Sequence, residues 1–559
     1  VELFWKYACV LVTVALCGCT SVDNKVEKNN HAGSVPDAAQ IFRMNLTVSP
    51  ASLDPAQARD QAMVWMTSQL FNGLVALDDS LRIVPAIAKQ WRISRDGLTY
   101  TFALRTDVRF HKSPVFGPQQ TRTVTAHDVA YSFTRICNRQ TASPGQWVFN
   151  DKVAGVADYQ QGKAAVVAGF EVVNDSIFCI RLVKPFAPFL SLLTMPYAFV
   201  VPREAVEAYG RGFRQKPVGT GPFMLKSWAE RQQLVLRANP HYFENGLPKL
   251  RAVVVRFIPS RLTAFNELLR GNLDFVEGLD AALKDEVLTP EGTLNPKYTG
   301  RVQLATSAQL TTEYLGCLTR DSLHPRNPLL DARIRRAVAH AIDRRKLVRY
   351  LRNNLGYPAV AGLVPYGMPG YSHAAVAGYD YNPALAAKLL AEAGYAGGKG
   401  LPPITLVTQP AYQNVAEFLQ NSLAEVGIRL ETDLVEGAAG REMIYQGRAP
   451  FWRASWVADY PDAENFLALV YGPNAAPAGP NTTRYGNTVV DSLFASANAQ
   501  SEPATRTKLF QQIENHMLRD APVIPLFYYK TLRLYSPTVL HPHASPMDNL
   551  LDLKRMEKH

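Results

Sequence analysis

Asp459 stands between aromatic residues in RASWVADYPDAENF (453–466), with Asp462 and Glu464 close behind it. A carboxylate in a short apolar run is costly unless it meets water or a cation. Three chemistries fit. Asp459 could receive a cationic group carried by a ligand, or it could cap a helix over DAENFLALV. Alternatively, the three carboxylates could supply an acid/base pair of the kind that cleaves glycosidic bonds. Trp456 fits plain core, and Arg453 fits a surface or hinge ion-pair partner. Other signatures of catalysis are missing: there is no G-x-S-x-G, H-E-x-x-H or C-x-x-C. GYAGGKG (394–400) has Ala393 where a phosphate loop begins with glycine, and Gly400 in place of Ser/Thr. GTG (219–221) lacks the third glycine of a dinucleotide fingerprint and reads as a turn. His541 and His543 flank Pro542 and fit a loop better than a metal site. No convincing nucleophile or metal set emerges, so an enzyme is not the expected reading, and no cofactor or metal is expected.

These residues need a large scaffold, and the 559-residue chain provides one, with 47% hydrophobic and 19% charged residues. The net charge of +11 is scattered. Its densest block, RIRRAVAHAIDRRKLVRYLR (333–352), reads as one amphipathic helix with Ile334, Val338, Ala341 and Ile342 on one face and arginines on a solvated one. No nucleic-acid motif accompanies it, so nucleic acid is not an expected partner. Segments 98–110 and 172–186 read as strands with turns, and TAHDVAYSFTRI (125–136) as a helix capped by Thr125. RLTAFNELLRGNLDFVE (261–277) reads as a helix stopped by Gly271, followed by a strand. NPALAAKLLAEAGY (382–395) has Asn382 as cap, Pro383 in the first turn and Gly394 at its end. Strands and helices alternate throughout, which argues for an α/β protein with more than one lobe.

The first residues form a separate problem. Lys6 precedes an apolar run from Tyr7 to Leu16, too short to span a bilayer but suited to a signal-peptide core. Leu16-Cys17-Gly18-Cys19 is similar to a bacterial lipobox; a Cys-x-Cys metal or redox pair is the other reading. On the first, residues 1–18 are a lipoprotein signal peptide, Cys19 is lipidated, and the polar residues that follow, to about 41, are a flexible tether. Val1 reads as a non-ATG start of an unprocessed precursor. Of the remaining cysteines, Cys137 and Cys179 are the nearer pair for a disulfide, and Cys317 leaves an odd number; buried thiols are the alternative.

Eight phrases occur together in one order: SLDPAQ (52–57), LFNGLVALD (70–78), LTYTFALRTDVRFH (98–111), TAHDVAYSF (125–133), PVGTGPFMLKSW (217–228), DARIRRAVAHAIDRRKLV (331–348), WVADYPDAENFL (456–467) and APVIPLFYY (521–529). With them the chain resembles the family-5 extracytoplasmic solute-binding proteins, the oligopeptide- and dipeptide-binding components of ABC importers, over about residues 42 to 550. The resemblance implies an α/β two-lobed clamshell of the type II periplasmic-binding-protein kind, with mixed sheets flanked by helices. Lobe 1 would be discontinuous (42–80, 216–305 and 523–559), an additional domain would be inserted at 81–215, and lobe 2 would span 306–522. It implies that Asp459 receives the α-ammonium of a short peptide, that Trp456 walls the cleft and that Arg453 faces the peptide's carboxylate end. Backbone around Ala454 and Ser455, and near Val48–Ala51, would pair with an extended ligand. Val457 replaces a cysteine found in oligopeptide-binding members. The implied setting is the periplasm or cell envelope, with a lipid anchor in a membrane, a monomeric receptor, and ABC permease and ATPase subunits as partners. The same family carries metal chelates, haem and oligosaccharides, so a non-peptide cargo is the alternative.

Overall fold

A computed structural model describes residues 40–320 and 323–559. The expected signal peptide, Cys19 and the tether up to residue 39 lie outside the described residues. The main sheet has eleven strands, numbered in chain order: β1 (Ile41–Leu46), β2 (Phe223–Ala229), β3 (Gln233–Ala238), β4 (Ala252–Phe257), β5 (Phe275–Glu277), β6 (Gln303–Cys317), β7 (Gly356–Pro358), β8 (Ile404–Thr408), β9 (Leu430–Leu434), β10 (Phe451–Val457) and β11 (Val523–Tyr535). Their spatial order is β9-β8-β10-β6-β11-β5-β1-β4-β3-β2, with β7 attached to β11. β1 is parallel to β4 and β5, and β8 is parallel to β9 and β10; the remaining pairs are antiparallel. β1 shows how the sequence selects a strand. In IFRMNL, Phe42, Met44 and Leu46 alternate inward and are buried.

The two longest strands, β6 and β11, tie the sheet together. Residues 303–308 pair with 530–535, and residues 312–316 pair with 523–528; the register slips between Ala308 and Thr312. On one side of the slip lie β5, β1 and β4; on the other lies β10. The buried side chains divide accordingly. One large core gathers around Phe42, Trp65 and Phe133, and another around Leu315, Ile334 and Phe451. The protein is therefore a two-lobed α/β structure whose mixed sheets are flanked by helices. Residues 305 and 306, the expected boundary between the two lobes, lie within β6 and not in a loop. The stretch 81–215 carries a four-stranded antiparallel sheet, ordered 88–93, 99–104, 177–181, 170–174. Its Phe133, Phe149 and Phe178 belong to the same core as Phe42. Near the two ends of the described chain, Lys558 donates to Ile41 O at 3.2 Å, and its ammonium pairs with Asp274 at 2.9 Å.

Local signals explain most elements. Thr125 and Asp128 form a reciprocal capping box on the helix Ala126–Cys137. The GTG turn is held by His111, whose Nε2 lies 3.0 Å from Gly221 O. A Cβ on Gly219 would sit 2.0 Å from Leu70 O, and one on Gly221 2.4 Å from Gln69 O, so close backbone approach demands glycine. GYAGGKG is a helix end and a turn, with Gly394 at φ 94°.

One expectation needs correction. The single helix over 333–352 is two helices, Ala332–Ala341 and Arg344–Arg352, because Asp343 caps the second by accepting from Arg345 N and Lys346 N. Nor are its arginines all solvated. Arg335 is buried and donates to the carbonyls of Leu329, Leu330, Asp520 and Ala521; buried Arg344 donates to those of Ala339, Ile342 and Pro525. A planar five-donor fork can gather scattered carbonyls that a hydrophobic side chain would leave unsatisfied. Of the two readings left open for the cysteines, the structure has the thiols: Cys137, Cys179 and Cys317 are free. Burial pushes Cys137 and Cys317 up to about 12, so neither is a reactive thiolate at neutral pH.

Candidate functional site

β10 and the turn that follows it build the site. β10 pairs with β6 through residues 451–457 opposite 317–311. Ala458 N donates to Leu310 O, and Leu318 N to Pro450 O. Even-numbered residues of β10 therefore turn their amides toward β6, and Arg453, Ser455 and Val457 turn theirs away. On that far side β8 meets β10 only at Trp452, through Val407, and ends at Thr408. Beyond it the edge at Ser455 and Val457 is open, and both residues are exposed. Such an edge can accept an extended chain. Beside it lies a cavity of about 230 Å³, lined by Thr408, Gln409, Gly437, Arg441, Arg453 and Ser455 among others.

Asp459 follows immediately. It does not cap the next helix; Asp462 does, accepting from Glu464 N. Asp459 accepts one hydrogen bond, from Asn465 Nδ2 at 3.2 Å. Asn465 Oδ1 in turn accepts from Trp456 Nε1 at 2.9 Å and from Asp459 N at 3.2 Å. Asn465 thus fixes Trp456 and Asp459 in one orientation. Loss of water raises the Asp459 carboxyl above its usual range, the Asn465 bond offsets part of this, and no cation contributes. A half-buried carboxylate held in place with one neutral partner is prepared for a positive group.

Arg453 takes the ion-pair role in this structure. Its Nε and Nη2 donate to the two oxygens of Glu313, the latter at 2.8 Å, and Tyr529 adds a bond to Glu313 at 2.9 Å. Its guanidinium carbon lies 3.2 Å from the centre of the Tyr412 ring. Both partners of the pair are buried. The carboxylate that meets Arg453 in this structure is the protein's own. Ala454 and Ser455 lie on the open strand, and Val48 is exposed in the loop after β1.

The other lobe closes on the same turn. Tyr460, next to Asp459, packs into the core that contains Phe42, and its ring lies 6.3 Å from that of Trp147. Tyr197 is pushed up to about 12, by burial first and by the Asp459 charge second. Ala187 N donates to Asn498 O at 2.7 Å across the same junction. Asn465, Glu313, Tyr412, Arg441 and Tyr197 were not singled out in sequence. Asn465 lies within the motif, one residue past Glu464. The other four are remote in the chain and carry no local signal. His541 and His543 line a different cavity, of about 150 Å³, with Arg533 and Asp552. Among the described residues no group of three or more His, Cys, Asp or Glu is arranged to hold a metal.

Two lobes joined by paired strands, with a poised carboxylate where they meet, define a protein built to close over a solute. The chain belongs to the bacterial extracellular solute-binding proteins, family 5, whose model matches residues 82–478. It is 26% identical over 518 residues to the periplasmic oligopeptide-binding protein OppA of Salmonella typhimurium, covering 89% of each chain. It is 26% identical over 546 residues to haem-binding protein A of Haemophilus influenzae, covering 95% of this chain and 94% of that one. In structure it resembles the periplasmic binding protein DppA from Helicobacter pylori in complex with the peptide STSA, with a TM-score of 0.72, 25% identity and coverage of 93% and 98%.

Proposed function

We propose that this protein is a receptor that captures short peptides between its lobes and delivers them to an ABC importer. The observation that carries the reading is Asp459: a carboxylate with restricted solvation and no cationic partner, fixed by Asn465 at the end of an open strand. A peptide's α-ammonium supplies the charge, and its backbone extends the sheet along Ser455 and Val457. Trp456 walls the site. Arg453, paired with Glu313, shapes it from behind. The relatives named for oligopeptide and peptide binding support this cargo; the one named for haem supports the alternative of a non-peptide ligand on the same fold. The receptor works as a monomer in the periplasm, held to a membrane by a lipid on Cys19, and performs no covalent chemistry.

Calorimetry with one tetrapeptide and its N-acetylated form tests the role of Asp459. The expected result is binding of the free amine only, weakened about 10- to 100-fold in Asp459→Asn, the range for a hydrogen bond to a charged group. Equal binding of the acetylated peptide overturns that role; binding of neither form moves the cargo to a non-peptide solute.

A further inference from the structure

Three carboxylates share the turn after β10. Asp459 is assigned to the ligand. Asp462 caps the helix Ala463–Leu467, and Arg506 holds both its oxygens, at 2.6 and 2.8 Å. Glu464 is left. It is buried, Tyr460 Oη donates to it, and no ion pair reaches it among the described residues. A buried carboxylate with a neutral donor is costly in its charged form.

Its surroundings come from both cores. Tyr460 sits in the core of Phe42, whereas Ala463, Phe466 and Leu467 sit in the core of Phe451. From the stretch 81–215, half-buried Lys152 faces the same turn. Its ammonium donates to Trp147 O at 2.8 Å and lies 5.9 Å from the Trp147 ring, which in turn meets the Tyr460 ring. It also lies 5.6 Å from the ring of Phe186, next to the Ala187 amide that bonds Asn498 O. Glu464 therefore feels Asp462 on its own turn, Arg506 on the helix Pro503–Asp520, and Lys152 from across the junction, with Asp151 and Lys184 beside Lys152. Burial, with Asp462 adding to it, outweighs the Tyr460 bond and the two cations and pushes the Glu464 carboxyl up to about 7.

We infer that Glu464, Tyr460 and Lys152 form a proton-linked clasp: the receptor closes on its ligand as the Glu464 carboxylate takes up a proton from solvent. The inference rests on the proposed closure and deepens it. When the lobes part, Tyr460 leaves the Phe42 core, water reaches Glu464, and its carboxyl returns toward the ordinary 4.5. The closed state has the raised value. The proton's contribution to closure is therefore full below about 4.5 and is lost as pH rises through about 7. Lys152 limits that loss, because its charge favours ionised Glu464 while the junction is shut. Asp459 acts in the opposite sense, since its protonated form cannot receive an ammonium.

The test is calorimetry on the full chain. An equimolar library of free tri-, tetra- and pentapeptides supplies the probe, the species that the parent protein retains best. Its binding is measured at pH 5.5, 6 and 7.5 for the parent, Glu464→Gln and Lys152→Met. Glu464→Gln keeps an acceptor for Tyr460 and cannot ionise, so the titrations of Asp459 and of the peptide amine cancel in the comparison. The expected result is an affinity that falls about 20-fold more in the parent than in Glu464→Gln between pH 5.5 and 7.5. In buffers of different ionisation enthalpy, the parent takes up about one proton more per peptide than Glu464→Gln at pH 6. Lys152→Met reads the same titration from across the junction and does not depend on the folding of Glu464→Gln; it steepens the fall seen in the parent. Parallel profiles in the parent and Glu464→Gln, or a fall in Lys152→Met no steeper than in the parent, overturn this inference and leave the receptor reading standing. Retention of no peptide from the library overturns the receptor reading, and this inference with it.

Discussion

At the scale of single residues, the Arg453–Glu313 pair shows how a binding site depends on charges that do not bind. Both side chains are buried, Tyr529 completes the Glu313 shell, and Tyr412 covers the guanidinium. Burial alone would discourage the Arg453 charge, but Glu313 holds it firmly in the charged form. Glu313→Ala leaves a buried cation unpaired and is expected to cost about 3–5 kcal/mol of folding stability. Urea denaturation measures it; a loss within 1 kcal/mol of zero would show that water or another carboxylate replaces Glu313. Asp459 was legible in sequence because a charge among aromatics is conspicuous. Glu313 was not, since Glu313 and Arg453 are 140 residues apart and meet only through the register of β6 with β10.

At the scale of elements, the periodic segments announced themselves, and the breaks came from capping chemistry. The helix ends at Asn382 and Thr125 carry their signals locally, so both helices begin where their caps require. The break at Asp343 was hidden because apolar spacing runs on through it; only the side chain's competing bonds to Arg345 N and Lys346 N stop the first helix. A similar device holds the long connection after β7. Buried Glu514, on the helix Pro503–Asp520, accepts from Leu363 N, Val364 N and Tyr371 Oη. Burial pushes its carboxyl up to about 7 despite these bonds. The folded state therefore holds a proton that the unfolded chain releases near its ordinary 4.5. This contribution to stability is full below that value and is lost as pH rises to about 7. Glu514→Gln keeps an acceptor and cannot ionise. Relative to the parent it should gain stability between pH 4.5 and 8, by about 1.4 kcal/mol per unit of the shift. Denaturation curves at both pH values compare them; a constant difference would mean that Glu514 titrates normally.

At the scale of the whole molecule, the eight phrases were enough to expect two lobes, and their order in the chain carried that expectation. What they did not carry was the manner of joining. The lobes share one sheet, and the slip between Ala308 and Thr312 lies where pairing passes from one lobe to the other. Ser307 Oγ and Thr311 Oγ1 flank that slip, buried and without partners. On the proposed closure, this slip is where the lobes are expected to rotate. The contact between Ala187 N and Asn498 O must then break on opening. Cysteines at these two positions, oxidised, are expected to hold the lobes shut. Peptide trapped before oxidation should dissociate at least tenfold more slowly, and peptide added afterwards should fail to enter. Stopped-flow dissociation, with and without reductant, reads both; unchanged rates in the oxidised protein would place the moving boundary elsewhere.

The pairing of Lys558 with Ile41 and Asp274 has a mechanical meaning. Both ends of the described chain are fastened to the lobe that contains β1. Anything that pulls on residue 40 or residue 559 grips the same half, as a bench vice grips a tool by its handle. On the proposed closure, the half with Asp459 is the swinging jaw. A dye at residue 559 and another on the helix Gly437–Tyr445 would ride on opposite arms, and energy transfer between them would follow each stroke while the handle stays fixed to a surface.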